Sequence, residues 1–354
     1  MITPFFSKKN LFLLFILRMT EANSPDNFSF NPDKLKNMWI SILWLLLGFV
    51  ILIYGANKLV DGGSALAARL NVPNMVIGLT IVAFGTSTPE LVVNIVSSAE
   101  GQSELALGNV LGSNIFNILC ILGITASIYP IAIKKTTTWV EVPLAMLSAL
   151  LILIMFGNNH WPTPSPYVIS RWEGIILLLF FALFVAYTLI LAREGGAEEI
   201  EIKPYGMGKS VFYILLGFAG LVIGGRLLVQ NAVALAETWG ISQRIIAVTI
   251  VSVGTSLPEL ATSLVAARKK NVDMAIGNVV GSNIFNTFLI LGTSAVISPV
   301  GMSLDNLTDI LLNLLAAFLL FIFIFTGKGR QIERWEGLLF LSVYTGYLIY
   351  LIRQ

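Results

Sequence analysis

The stretch from Gly78 to Gly123 recurs from Ala247 to Gly292 with about half of the paired positions identical, so the chain is read as an internal duplication. Aligned without a gap, Gly85-Thr86-Ser87-Thr88-Pro89-Glu90 falls on Gly254-Thr255-Ser256-Leu257-Pro258-Glu259. Gly108-Asn109-Val110-Leu111-Gly112-Ser113-Asn114-Ile115-Phe116-Asn117 falls on Gly277-Asn278-Val279-Val280-Gly281-Ser282-Asn283-Ile284-Phe285-Asn286. Any fold must therefore place the same polar chemistry twice, in two like units.

Composition names the medium. The chain is 56% hydrophobic and 12% charged with a mean hydropathy of +0.83, whereas water-soluble domains carry about 25% charged residues. It reads as a polytopic membrane protein with the lipid bilayer as its surroundings. A net charge of +2 on thinly spread charged residues gives no footprint for nucleic acid. One cysteine, Cys120, and one histidine, His160, exclude an internal disulfide and argue against a zinc or haem site. Any bound metal must be held by oxygen, and neither a cofactor nor an obligatory protein partner is expected.

Residues 1–37 form an N-terminal extension: Lys8 and Lys9 precede an apolar run, Leu11 to Leu17, shorter than the about 20 residues a span takes. It fits a signal-like segment, a disordered extension or an upstream start, with Met38 opening the working protein. Apolar segments then fall at 38–57, 74–98, 104–127, 140–156 and 168–192, and again at 210–230, 243–267, 273–297, 307–326 and 335–352. The expected fold is all-α, with ten transmembrane helices in two five-helix repeats, 38–194 and 210–354, joined by a linker, 195–209. Outside the two motifs, Leu46-Leu47-Gly48-Phe49 matches Leu215-Leu216-Gly217-Phe218, and Arg171-Trp172-Glu173-Gly174 matches Arg334-Trp335-Glu336-Gly337. Five is odd, so the second unit enters the membrane from the opposite side, the inverted-repeat plan of secondary transporters.

The cations agree with that plan. Lys58, Arg69, Lys134, Lys135, Arg193, Lys203, Lys209, Arg268, Lys269, Lys270, Lys328, Arg330 and Arg334 fall in loops of one face, while Arg171, Arg244, Lys34 and Lys36 do not. By the positive-inside rule the first face, including the linker with Glu198, Glu199 and Glu201, is cytoplasmic.

A glutamate inside an apolar helix costs roughly 2.5 to 3.5 kcal/mol on insertion, so Glu90 and Glu259 at matching positions imply a compensating use. On the same helical faces lie Ala83, Thr86 and Ser87 in the first half and Ser252, Thr255 and Ser256 in the second. Pro89 and Pro258 kink each helix and free the carbonyls of Gly85 and Gly254, which is tolerated at membrane depth where they line a cavity. In the next helix Asn109, Ser113 and Asn117 lie at spacing four, repeated by Asn278, Ser282 and Asn286, as neutral oxygen ligands or interhelical hydrogen-bonders. Gly108 and Gly112, with Gly277 and Gly281, are small-xxx-small pairs that let a backbone approach. Carboxylates, hydroxyls, amides and carbonyls without nitrogen or sulfur donors suit a hard cation, and calcium better than magnesium. Two carboxylates neutralise one Ca²⁺ or two Na⁺, so competition between them would give exchange.

These paired motifs resemble the alpha-repeats of the sodium/calcium exchanger family within the cation/calcium antiporter superfamily, over nearly all of the chain from about Met38. The resemblance implies a core of helices two, three, seven and eight, with helices one and six sliding across it. It implies an ion site of the Ala83 and Thr86 carbonyls with Ser87, Glu90, Ser113 and Asn117, and in the second half Ser252, Thr255, Ser256, Glu259, Ser282 and Asn286. Na⁺ and Ca²⁺ then bind as substrates, not cofactors. The proton/calcium exchangers of the superfamily carry a GNxxE-type motif where this chain has GTSxPE, which favours Na⁺ as coupling ion. The potassium-dependent branch carries an acid where this chain has Asn286, which argues against K⁺ co-transport. The short linker resembles prokaryotic members, without large cytoplasmic regulatory domains, and implies a plasma or inner membrane.

The leading expectation is a Na⁺/Ca²⁺ antiporter working by alternating access. The alternatives are an H⁺/Ca²⁺ antiporter, an exchanger of another cation, and a channel whose pore the same oxygens line. An intramembrane enzyme is disfavoured, because neither His160 nor Cys120 is duplicated and the serines have no evident base.

Overall fold

In a computed structural model the protein is described at residues 32–99, 101, 103–157, 167–194, 205–238, 252–326 and 329–353. The chain falls into two compact units, Met1–Ile40 and Ser41–Gln354. The first is described only in the opening turns of one helix, and the second holds the repeats. Residues Met1 to Asn31, His160 and most of the linker lie outside the described residues.

The helical segments are α1 (Pro32–Leu70), α2a and α2b (Asn74–Thr86 and Thr88–Ala99), α3 (Leu105–Ile128), α4 (Thr137–Gly157), α5 (Arg171–Glu194) and α6 (Met207–Thr238). They continue with α7a and α7b (Ser252–Thr255 and Leu257–Arg268), α8 (Val272–Ile297), α9 (Asn306–Thr326) and α10 (Arg334–Arg353). Among the described residues, seven of these are long and apolar enough to cross a membrane, or eight if α2a and α2b, bent by 45°, form one span. The α7 pieces and α10 are not in that set. The protein is a multi-pass membrane protein, since only structures that satisfy their own backbone survive in lipid.

Burial separates core from periphery: 72% of the apolar window of α3 and 78% of that of α8 are buried, against 17% for α1 and α5 and 28% for α6. Leu107, Leu111 and Ile115 of α3 pack with Ile276, Val279 and Ile284 of α8 in one apolar cluster. The repeated Arg-Trp-Glu-Gly has a local cause. Glu173 Oε2 accepts from the Ser170 backbone N–H at 2.7 Å, and Glu336 Oε2 from that of Glu333 at 2.6 Å, so each acid caps its helix start. The glycine beside it lets helices touch: a Cβ on Gly174 would stand 2.8 Å from the Gly292 carbonyl oxygen, and one on Gly337 2.7 Å from that of Gly123. Two short antiparallel ribbons also tie the halves together, β1 (Ile131–Ala132) with β4 (Gln331–Ile332) and β2 (Val168–Ile169) with β3 (Val300–Gly301).

Two expectations are corrected. The helix expected at 38–57 begins at Pro32 and runs on to Leu70, and the one expected at 210–230 runs from Met207 to Thr238. Lys58 and Arg69, expected in a loop, are therefore helical. No breaker intervenes before Asn71, whose φ of 52° and nearby Pro73 end α1. Lys58 keeps its charge satisfied by lying 4.5 Å from the Tyr213 ring centre.

Candidate functional site

The helix carrying each glutamate breaks at the serine three residues before it. Ser87 (φ −84°, ψ 6°) separates α2a from α2b, and Ser256 (φ −90°, ψ 8°) separates α7a from α7b. The breaks fall two residues ahead of Pro89 and Pro258, the positions at which a proline disrupts the preceding turn. They turn each serine away from its own glutamate. Ser87 Oγ donates to Glu259 Oε1 at 2.9 Å, and Ser256 Oγ to Glu90 Oε1 at 3.1 Å. Same-helix spacing pairs each serine with its own carboxylate, whereas the folded chain pairs them across the halves.

The neighbouring helices complete the crossing. The hydroxyls of Ser87 and Ser282 share a hydrogen bond at 2.9 Å, as do those of Ser256 and Ser113 at 3.1 Å. Asn117 Nδ2 donates to Asn283 Oδ1 at 2.9 Å, and Asn286 Nδ2 to Asn114 Oδ1 at 3.1 Å. Asn117 and Asn286 sit in matching π-helical stretches, Phe116–Leu122 of α3 and Phe285–Leu291 of α8; such wide turns often mark functional sites.

Among the described residues, four oxygens at this centre are buried without a hydrogen-bond partner: Glu90 Oε2, Glu259 Oε2, Asn117 Oδ1 and Asn286 Oδ1. They come as two symmetric pairs. Each of the four residues is 1% exposed. Neither carboxylate has a salt bridge among the described residues. Buried polar groups are normally satisfied and buried charges paired. Acceptors left open by both halves are what a hard cation, taking six to eight flexible oxygens as Ca²⁺ does, would fill.

The remaining expected residues are distributed around this centre. The Thr86 hydroxyl donates to Asn278 Oδ1 at 3.1 Å, and the Ala83 carbonyl accepts from the Ser87 backbone N–H at 2.9 Å. Thr255 lines a cavity of 460 Å³ between α6 and the two helix breaks. The backbone of Ser252 is helical, and its side chain lies outside the described residues. Asn109, on the same sequence stripe as Ser113, instead donates to Asn94 Oδ1 at 2.7 Å. Gly277 and Gly281 seat α2a, where Cβ atoms would stand 2.9 Å from the Met75 and Leu79 carbonyl oxygens. Gly108 and Gly112 meet no described atom within 4 Å.

Spacing puts Asn278 on the stripe of Ser282 and Asn286 but does not single out Asn114 or Asn283, although all three lie in the duplicated motif. Asn278 is the most connected of them. It accepts from Thr86 and donates to Ser263 Oγ at 2.9 Å and to the Glu259 carbonyl at 3.3 Å, bridging both broken helices. Asn278→Ala would leave these buried groups unpaired, which costs about 1–3 kcal/mol. A melting temperature a few degrees below that of the parent is the expected result, with the protein still monodisperse on size exclusion.

Comparison with known proteins decides the family. The model of the sodium/calcium exchanger protein family matches twice, at residues 40–190 and 209–353. The chain belongs to the sodium/calcium exchanger family. Membership makes it a cation/calcium exchanger-type transporter, not an enzyme. It is 33% identical to the sodium/calcium exchanger MaX1 of Methanosarcina acetivorans over 88% of this chain and 98% of that one. It is 35% identical to the putative antiporter CaxA of Alkalimonas amylolytica with the same coverage. Among solved structures it is similar to the sodium-calcium exchanger NCX_Mj, soaked with Na⁺ and Ca²⁺, with a TM-score of 0.73 and 30% identity over 88% of this chain and 98% of that one. These relatives match the prokaryotic type of exchanger.

Proposed function

We propose that this family member exchanges Na⁺ for Ca²⁺ by alternating access at the cluster around Glu90 and Glu259. The observation that carries the reading is the set of four unpartnered buried oxygens, two from each half. Ser87, Ser113, Ser256 and Ser282 supply hydroxyl oxygens, and carbonyls of the broken helices, Ala83, Thr86, Ser252 and Thr255 among them, complete the shell. Two carboxylates balance one Ca²⁺ or two Na⁺, so either load leaves the buried site neutral and the two compete for it. Ten spans in two inverted repeats would include α7 and α10, with residues 195–209 cytoplasmic and the protein in a plasma or inner membrane. The 460 Å³ cavity reaching Thr88 and Thr255 is then a route to the site from one side.

Calcium uptake into proteoliposomes tests the reading. Vesicles preloaded with Na⁺ and diluted into Na⁺-free buffer are expected to accumulate ⁴⁵Ca²⁺. Vesicles with only a K⁺ or pH gradient are not. Uptake driven by the pH gradient alone would replace Na⁺ by H⁺ as the coupling ion, and absence of uptake under every gradient would overturn the calcium assignment.

A further inference from the structure

The second half of α1 is held by the turn between α7b and α8. Lys269 Nζ stands 2.8 Å from Asp61 Oδ1 and donates to the Asn57 carbonyl at 3.2 Å, and Asn271 Nδ2 donates to Ser64 Oγ at 2.8 Å. The turn itself is firmly set. Lys269 closes α7b, Lys270 takes a φ of 60°, and Asn271 caps α8 by accepting from the Met274 backbone N–H at 3.2 Å. The turn therefore belongs to the core helices, whereas α1 is joined backbone to backbone with α6: Gly48 meets Gly224, Gly55 meets Gly217, and Gly62 meets Ser210. Asp61 and Lys269 form an ionic tie between the α1–α6 pair and the core.

The duplication does not repeat this tie. The positions corresponding to Asp61 and Lys269 in the other half are Gln230 and Glu100, which cannot form an ion pair. The α1–α6 crossing also shows which end is which. The α6 residues lining the 460 Å³ cavity, Leu221 to Gln230, lie beside the first half of α1, away from Asp61. A cavity of 630 Å³ also lies at the tied end, lined by Asn57, Tyr129 and Lys269 among others, but its lining stops short of the helix breaks, which the 460 Å³ cavity at the other end reaches.

We propose that the Asp61–Lys269 pair is a gate latch. It holds α1 against the core at this end and favours the state open through the 460 Å³ cavity, and it must part each time that other end closes. The inference rests on the alternating-access reading, but its test reads conformation, not flux. Both side chains are about one-third exposed (34% and 32%), so the pair is partly screened and its rupture should shift the two states about two- to fivefold.

The reporter is Ala266→Cys, at a fully buried position in the apolar cluster that α1 shares with α7b. Its reaction with a maleimide measures the minor state in which the tied end opens. The native Cys120, buried in α3, reports general loosening in the same sample. Asp61→Asn and Lys269→Met are each expected to speed labelling at position 266 about two- to fivefold while Cys120 labelling stays constant. Joining Asp61→Lys to Lys269→Asp should return the rate towards that of the parent. Lys134→Gln, which breaks the 2.9 Å pair with Asp273 of α8, should leave it unchanged. The latch is overturned if position 266 labels at the parent rate in both single variants, or if its rate rises only in step with Cys120. Loss of calcium flux with the labelling pattern intact would sink the ion assignment and leave the latch standing.

Discussion

Glu259→Gln is expected to reduce sodium-driven calcium uptake by at least about 100-fold, and Glu90→Gln to do the same, because in the proposed site each removes one of the two charges that would balance the ion. Breaking a buried charge pairing costs about 3–5 kcal/mol, and each 1.4 kcal/mol is about tenfold in affinity. Gln keeps the shape, but it exchanges one of the unpartnered oxygens, Glu90 Oε2 or Glu259 Oε2, or the oxygen that accepts from a serine, for an N–H₂ donor. The neutralised site also carries one negative charge where Ca²⁺ needs two, whereas a single Na⁺ remains balanced. Sodium-dependent thermal stabilisation should accordingly survive in both variants while calcium-dependent stabilisation disappears. Uptake within about threefold of the parent in either variant would remove that carboxylate from the ion site. Ser87→Ala and Ser256→Ala, each losing one hydroxyl that touches a carboxylate, should lose about tenfold, since a hydrogen bond to a charged group is worth about 1.5–3 kcal/mol.

The residues of this site are legible in the sequence, and their connections are not. Duplication exposes Glu90 with Glu259, Ser113 with Ser282 and Asn117 with Asn286, because a polar residue kept twice inside apolar sequence needs a reason. Helical spacing then assigns Ser87 to Glu90, and the structure assigns it to Glu259, since the break at Ser87 removes the regular turn that the spacing presumes. The same failure hides the partner of Asn117, Asn283, though not Asn117 itself. It lies four residues after Ser113 in sequence but beyond the join from α-helix to π-helix at Phe116, where the turn widens. Asn109 and Asn278 occupy one motif position and donate to matching partners, Asn94 and Ser263, but Asn278 also accepts from Thr86 of the other half, a link that spacing does not show. For α1 the error is simpler. Lys58 and Arg69 look like loop residues, but a long side chain that finds an aromatic face, as Lys58 does at Tyr213, lets the helix continue.

Gly217→Leu and Gly55→Leu should be the most damaging single changes outside the ion site, because the α1–α6 contact has no room for a side chain. A Cβ on Gly217 would stand 2.6 Å from the Leu59 backbone nitrogen, and one on Gly55 2.7 Å from that of Leu221. The obstacle in each case is main chain, which cannot rotate aside. The contacts recur every seven residues, at Gly48, Gly55 and Gly62 on α1 and at Ser210, Gly217 and Gly224 on α6, so one large side chain pries apart a seam several turns long. In lipid no hydrophobic force draws the helices together again, and close packing of small residues supplies the association. Overpacking a well-filled contact costs about 1–3 kcal/mol even where side chains can yield, and backbone contact removes that relief. The expected result is a melting temperature several degrees lower in detergent, with much less monodisperse protein on size exclusion. Gly346→Leu on α10, where nothing lies within 4 Å, should behave as the parent. If the seam variants melt with the parent, α1 and α6 are not held together by this contact. A pair that separates freely could not carry the force of a latch at Asp61 to α6, so the gate would then have to act through α1 alone.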